Sequence, residues 1–197
     1  MKILHLSAVK SWGGGERHIE NLCAELAILS PDAQNSVFCI RHTDFHKRLK
    51  DKKIECITAP LGFKMDPRYF LKLAVVCRSK KFDLLHIHDS TALTLAIMAD
   101  KLVDLPPFIF SKKTSFPIRT RKQTLYKYNY PKIKKILCVS KATLKTAAEK
   151  IENPGKLTTI YHGTSLRDKC TETPYDLREF LNLKPETILI GNIANHI

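Results

Sequence analysis

The sequence predicts an α/β fold built on a doubly wound parallel sheet. Short apolar runs of strand character alternate with segments of helical periodicity along nearly the whole chain. The composition, 44% hydrophobic and 26% charged over 197 residues, suits one globular domain with room for a tail. Alternation of this β-α-β kind places the strands in parallel, with helices on both faces.

The elements follow in order. Lys2–Ser7 is apolar and leads into a glycine turn, so it reads as the first strand. Ile19, Leu22, Cys23, Leu26 and Leu29 then recur at helical spacing. Ser36–Ile40 and Ile54–Thr58 are strands, separated by a charged helix around Phe45–Lys50. Pro67–Lys80 is a helix with proline in its first turn, where the missing N–H costs nothing. Leu84–Ile87 is a strand, Ala92–Leu102 a helix and Phe108–Phe110 a strand. Ile136–Val139, the helix Lys141–Ile151 and the strand Leu157–Ile160 close the series. This domain is expected to span residues 1–166. Residues 167–186 read as a linker region holding one short helix, Tyr175–Leu183. Residues 187–197 read as the first strand of a truncated second domain.

Composition narrows the partners. Lys and Arg number 33 against 19 Asp and Glu, a net charge of +14, which attracts anions without choosing among them. No apolar run approaches the roughly 18 residues that span a bilayer. The amino terminus lacks the pattern of a signal peptide, so a cytoplasmic protein is expected. The six cysteines show no Cys-x-x-C or zinc spacing and read as reduced, mostly core residues.

In a doubly wound sheet, ligands bind beyond the carboxyl ends of the strands. The first such loop is Ser11-Trp12-Gly13-Gly14-Gly15-Glu16. It is either a tight turn or a loop whose backbone approaches a phosphate or sugar at a helix N-terminus. The second is His86-Ile87-His88-Asp89-Ser90. Alternation puts both histidines on one side of the strand, and Asp89 or Ser90 either caps the next helix or joins the chemistry. No third histidine or carboxylate stands at ligand spacing, so no metal is expected. Ser140 reads as a helix cap and His162-Gly163 as a turn.

The stretch Ser111–Lys135 has no acidic residue. Lys112, Arg119, Arg121, Lys122, Lys127, Lys132, Lys134 and Lys135 alternate there with aromatic and aliphatic residues. That mixture fits a patch for an anionic membrane surface, a phosphate track, or a solvated basic face.

Taken together, these segments resemble the retaining family-4 glycosyltransferases of the GT-B fold. The carriers are Gly-Gly-Gly-Glu-Arg-His after the first strand, Asp83-Leu84-Leu85-His86-Ile87-His88, Val139-Ser140-Lys141-Ala142-Thr143, the strand ending at His162-Gly163, and Ile188–Ala194. The resemblance implies one Rossmann-like half of a two-domain enzyme. Such an enzyme transfers a sugar from a nucleotide-sugar to a glycan or glycolipid with retention, without metal or cofactor. It further implies that Gly13, Gly14 and Gly15 meet the donor phosphate and that His88, Asp89 and Lys113 serve catalysis. Trp12, Glu16, Ser140, His162 and Gly163 would line the acceptor side. The half alone would be inactive, and an anionic membrane surface at the inner face is a candidate partner. Two departures stand out: Lys112-Lys113 replaces a histidine common in relatives, and His162-Gly163 replaces Asn-Gly. The alternative is a stand-alone basic Rossmann-like module that binds nucleic acid or a nucleotide.

Overall fold

The computed structural model describes residues 1–163 and 176–191. The chain divides into two units, Met1–Thr164 and Ser165–Ile197. In the first, the strands are β1 (Lys2–Leu6), β2 (Gln34–Ile40), β3 (Cys56–Ala59), β4 (Leu84–Ile87), β5 (Phe108–Lys112), β6 (Ile133–Cys138) and β7 (Leu157–Thr159). The helices are α1 (Gly14–Leu29), α2 (Asp44–Asp51), α3 (Pro67–Lys80), α4 (Ser90–Asp100), α5 (Lys122–Tyr128) and α6 (Lys141–Ala148). All seven strands are parallel, in the order β3-β2-β1-β4-β5-β6-β7. The predicted doubly wound sheet is therefore present.

Strand alternation sorts the side chains into two layers. Leu4, Leu6, Phe38, Ile40, Leu85 and Ile87 point to one face, where Leu73, Leu93 and Ala96 of α3 and α4 cover them. Val37 and Cys39 point to the other, against Ile19 and Cys23 of α1 and Phe45 and Leu49 of α2. Cys23, Cys39, Cys77 and Cys138 are buried free thiols, as a small-hydrophobe role requires. Burial pushes the Cys23, Cys39 and Cys77 thiols up to about 12, so they do not ionise near neutral pH. Cys170 lies outside the described residues.

Local capping chemistry sets the helix starts. Asp66 accepts from the Arg68 N–H ahead of Pro67, Asp89 from Thr91 and Ala92, and Ser140 from Thr143. The winding order reverses between β1 and β4, which are neighbours in the sheet. Their carboxyl ends flank the crevice where such folds place ligands.

In the second unit, the described residues hold the four-residue helix α7 (Leu177–Phe180), capped by Asp176. It falls inside the short helix expected at Tyr175–Leu183. The strand expected from Thr187 has no ladder over residues 187–191. An apolar run becomes a strand only against a neighbour that satisfies its backbone. Residues 164–175 and 192–197, with the rest of the expected linker and strand, lie outside the described residues.

Candidate functional site

The crevice at the carboxyl ends of β1 and β4 gathers residues from five elements. β1 continues into Ser7 and Ala8 and then the glycine loop, which opens α1. β4 ends in His88 and Asp89, which open α4. Asp89 holds these two loops together: one carboxylate oxygen accepts from Thr91 and Ala92, and the other accepts from the Ala8 N–H at 2.8 Å. Asp89, and not Ser90, is the cap of α4.

Consecutive lysines at the end of β5 leave on opposite faces of the sheet, as alternation demands. Lys113 reaches the α1 side, where its Nζ donates to the Gly15 carbonyl at 3.1 Å. Burial lowers its pKa to about 8, against the opposing pull of Glu16 and Asp89. Glu16 is itself buried and accepts from Ser7 Oγ at 3.4 Å; burial raises its carboxyl. Burial likewise raises Asp89, despite its three backbone N–H partners. One cation thus sits between two carboxylates beside the N-terminus of a 16-residue helix.

The glycine loop is open. A Cβ on Gly14 would meet nothing within 4 Å, and on Gly13 or Gly15 would make only ordinary contacts, at 3.7 Å with Glu16 and 3.5 Å with Lys113. No glycine here has a positive φ. Neither packing within the chain nor backbone conformation requires glycine at these positions.

Beneath the loop lies a histidine cluster. His5 on β1 stands in register with His86 on β4, and His88 follows on the same face. His5 Nε2 faces the Asn35 Oδ1 acceptor at 3.3 Å, and that amide is oriented by its own bond to the Ala33 carbonyl. His5 therefore carries its proton on Nε2, and its Nδ1 accepts from His88 Nε2 at 3.1 Å. His86 Nε2 bonds Ser111 Oγ at 2.8 Å. This network leaves His88 Nδ1 as an acceptor, and it is the one buried side-chain nitrogen or oxygen without a partner among the described residues. Burial pulls His5 down to about 4 and holds His86 and His88 well below the usual imidazole range. The cluster is neutral at neutral pH.

The sequence offered no third histidine near His86 and His88; the sheet supplies one. Ligand atoms of His5, His86 and His88 lie within 4.8 Å of one another, a spacing that could hold a metal ion. The signal was present in the sequence: His5 interrupts the apolar run of residues 3–6 in β1. Reading it required knowing that β1 neighbours β4. His18 on α1 was also missed. Its ring stacks on His162 at 3.9 Å and meets the His88 edge at 6.2 Å.

The other expected acceptor-side residues have structural partners. Trp12 lies against Phe45, with the Arg48 guanidinium 4.3 Å over its ring, so α2 occupies it. Ser140 caps α6, the plainer of its two readings. His162 and Gly163 are exposed at the rim.

Of the eight cations expected to form one surface patch, three are engaged within the chain. Lys112 is only 5% exposed, with its ammonium donating to the carbonyls of Thr114 and Phe116. Lys132 is ion-paired with Asp100 and Asp104, and Lys135 donates to the Gly155 carbonyl. Lys112, Arg119, Arg121 and Lys127 line a groove between α4 and α5. No helix among the described residues is long and apolar enough to cross a membrane.

Comparison with known proteins agrees with this fold. The family model Glycosyltransferase Family 4 matches residues 12–168. A glycosyltransferase from Rickettsia africae superposes with a TM-score of 0.70 at 20% identity, over 94% of this chain and 50% of that one. Anabaena HepE, solved in complex with UDP-glucose, gives 0.64 at 18% identity, over 83% of this chain and 44% of its own. The lipopolysaccharide outer core galactosyltransferase WaaB gives 0.61 at 17%, over 85% of this chain and 47% of its own. The chain thus spans about half the length of the structures it matches. No curated protein matches it by sequence.

Proposed function

The chain belongs to glycosyltransferase family 4, and on that premise we propose that it forms the acceptor-side half of a retaining, nucleotide-sugar-dependent hexosyltransferase. Its acceptor is a cell-envelope glycan or glycolipid, met at the inner face of the membrane. The donor is a UDP-sugar, as HepE binds, held mainly by a second domain. By this reading the residues of the first unit alone are inactive. A stand-alone basic module for nucleic acid or a nucleotide is the weaker reading, because the glycosyltransferase family match covers residues 12–168.

The observation that carries this reading is the open glycine loop at the switch point. Backbone bare of side chains, at a helix N-terminus, suits a diphosphate that must come close. When the sugar leaves, negative charge grows on the departing phosphate. Lys113, whose Nζ donates to the Gly15 carbonyl, and the first N–H groups of α1 stand beside the glycine loop and suit that developing charge. Lys113 takes up electrostatically what relatives assign to an imidazole. Asp89 is a positioning residue that locks the Gly loop to α4. His88 Nδ1, lacking a donor, is completed by a substrate or water hydroxyl. The imidazoles act as neutral hydrogen-bonding groups, and no resident metal takes part.

Lys113 supplies the test. Its charged form is lost as pH rises through about 8, so UDP release by the gene product carrying this chain is expected to fall across that range. Lys113→Gln should cost about 100-fold in rate, the scale for one preorganised charge-stabilising donor, and abolish the alkaline fall. A Lys113→Gln profile superimposable on the parent's would count against the proposal.

A further inference from the structure

The groove on the opposite face from the histidine cluster carries chemistry that the transfer site does not use. It has a volume of about 820 Å³ and runs between α4, α5 and the loop joining β5 to α5. Six cations line it: Lys64, Lys101, Lys112, Arg119, Arg121 and Lys127. No Asp or Glu lines it among the described residues. Lys112 is held by two backbone carbonyls and contributes to the field from below. The guanidinium groups of Arg119 and Arg121 are exposed, and no carboxylate among the described residues engages them.

One end of this groove reaches the transfer crevice. Lys127 Nζ donates to Ser90 Oγ at 2.6 Å, and Ser90 directly follows Asp89. Lys127 is depressed by burial and by the nearby charge of Lys64, while Asp89, buried and fully hydrogen-bonded, pulls the other way. Lys127 and Lys64, like charges lining one groove, favour an anion that would relieve both. The groove also presents aromatic surface. Tyr126 and Phe116 are more than half exposed, and Lys101 lies 5.5 Å over the Tyr126 ring. Exposed aromatic faces in a groove lined by two exposed arginines suit a sugar ring that bears an oxyanion, which Arg binds in bidentate fashion.

We propose that this groove binds an acidic sugar of the acceptor, a ring carrying a phosphate or carboxylate, and so delivers its hydroxyl to the crevice at Ser90–Asp89. The inference rests on the reading of the chain as an acceptor-side glycosyltransferase half. It names the class of acceptor within that reading. The groove selects against a neutral sugar, because an uncharged ring leaves the facing cations unrelieved.

The test is a set of titrations of the full chain, followed by amide chemical shifts at Arg119, Arg121 and Lys127. Glucose 6-phosphate and glucuronate probe the two sources of charge, glucose is the neutral control, and decyl phosphate probes an amphiphile without a sugar. At least one acidic sugar is expected to bind about 10-fold or more tightly than glucose, the scale of one charge-assisted contact. Which of the two does so assigns the anion. Arg119→Gln with Arg121→Gln should erase that preference. Lys141→Gln with Lys145→Gln, the same charge loss on exposed α6, should keep it. Equal binding of glucose, an equal loss in the α6 variant, or decyl phosphate binding as tightly as the acidic sugars would overturn the proposal. UDP release by the gene product carrying this chain is read separately. If it persists while acidic sugars show no preference, only the groove assignment falls. If no UDP is released while the groove still selects acidic sugars, it is the transferase reading that falls.

Discussion

Acidification from pH 7 to 4.5 is expected to lower the melting temperature by at least about 10 °C, converting several kcal/mol at roughly 2–4 °C each for a domain of this size. The cause is the histidine cluster. An unfolded imidazole titrates near 6.5, whereas burial brings His5 and His18 down to about 4 and His86 and His88 well below their usual range. Between those values the unfolded chain binds protons that the folded chain refuses. Stability from the cluster is therefore complete above about pH 6.5 and is lost as pH falls toward 4. For His5 alone the loss is on the order of 3 kcal/mol at pH 4, against a total stability of about 5–15 kcal/mol. Glu16 and Asp89, raised by burial, act with the opposite sign, because protonation relieves them. Glu55 and Asp66, held down by Lys80 and Arg68, add to the loss at lower pH. Thermal melts across this range decide the matter. His86→Gln, which keeps a partner for Ser111, should flatten the dependence, and a melting temperature level from pH 7 to 4.5 would refute the neutral cluster.

Asp89→Ala is expected to destabilise the fold by about 2–5 kcal/mol. A lost N-cap contributes about 1–2 kcal/mol, and the stranded Ala8 N–H contributes a further 1–3. In melting temperature this is roughly 4–20 °C. Asp89→Asn separates the two roles. Its carbonyl oxygen can still accept from Thr91 and Ala92, but its amide then faces the Ala8 N–H, donor against donor. Relief of the buried charge offsets part of that loss. The Asn variant should melt between the parent and the Ala variant, and its glycine loop should exchange amide protons faster than the parent's. An Asn variant as stable and protected as the parent would show that the Ala8 bond holds nothing in place.

The fold was legible because its signals are local. Asp66 and Pro67 mark the start of α3, and the predicted span Pro67–Lys80 is the observed one. Where the local signal is weak, the reading stops short. α5, Lys122–Tyr128, was missed because none of its residues is buried and no apolar stripe marks it. β6 begins at Ile133, three residues before the expected Ile136, because Lys134 and Lys135 interrupt its apolar run while the backbone ladder continues. The site was legible only where it lies within one loop. The glycine loop and His86-Ile87-His88-Asp89 stood out. The joining of His5 to His86, of Lys113 to Gly15 and of Asp89 to Ala8 spans 81 to 98 positions of sequence and depends on sheet order. The same holds for Lys112 and Lys113: adjacent in sequence, they serve different faces.

The most direct test is to place a methyl group on the glycine loop and measure stability and catalysis together. The chain itself leaves room for a Cβ at Gly14 and holds no glycine there at positive φ. Gly14→Ala should therefore leave the melting temperature unchanged or raise it, since alanine in a helix is favoured by up to about 1 kcal/mol. If the loop approaches a nucleotide-sugar diphosphate, the same methyl group should slow UDP release by the gene product at least about 10-fold, the effect of 1.4 kcal/mol at the transition state. An unchanged rate in a fully stable Gly14→Ala protein would contradict the placement of the donor phosphate at this loop.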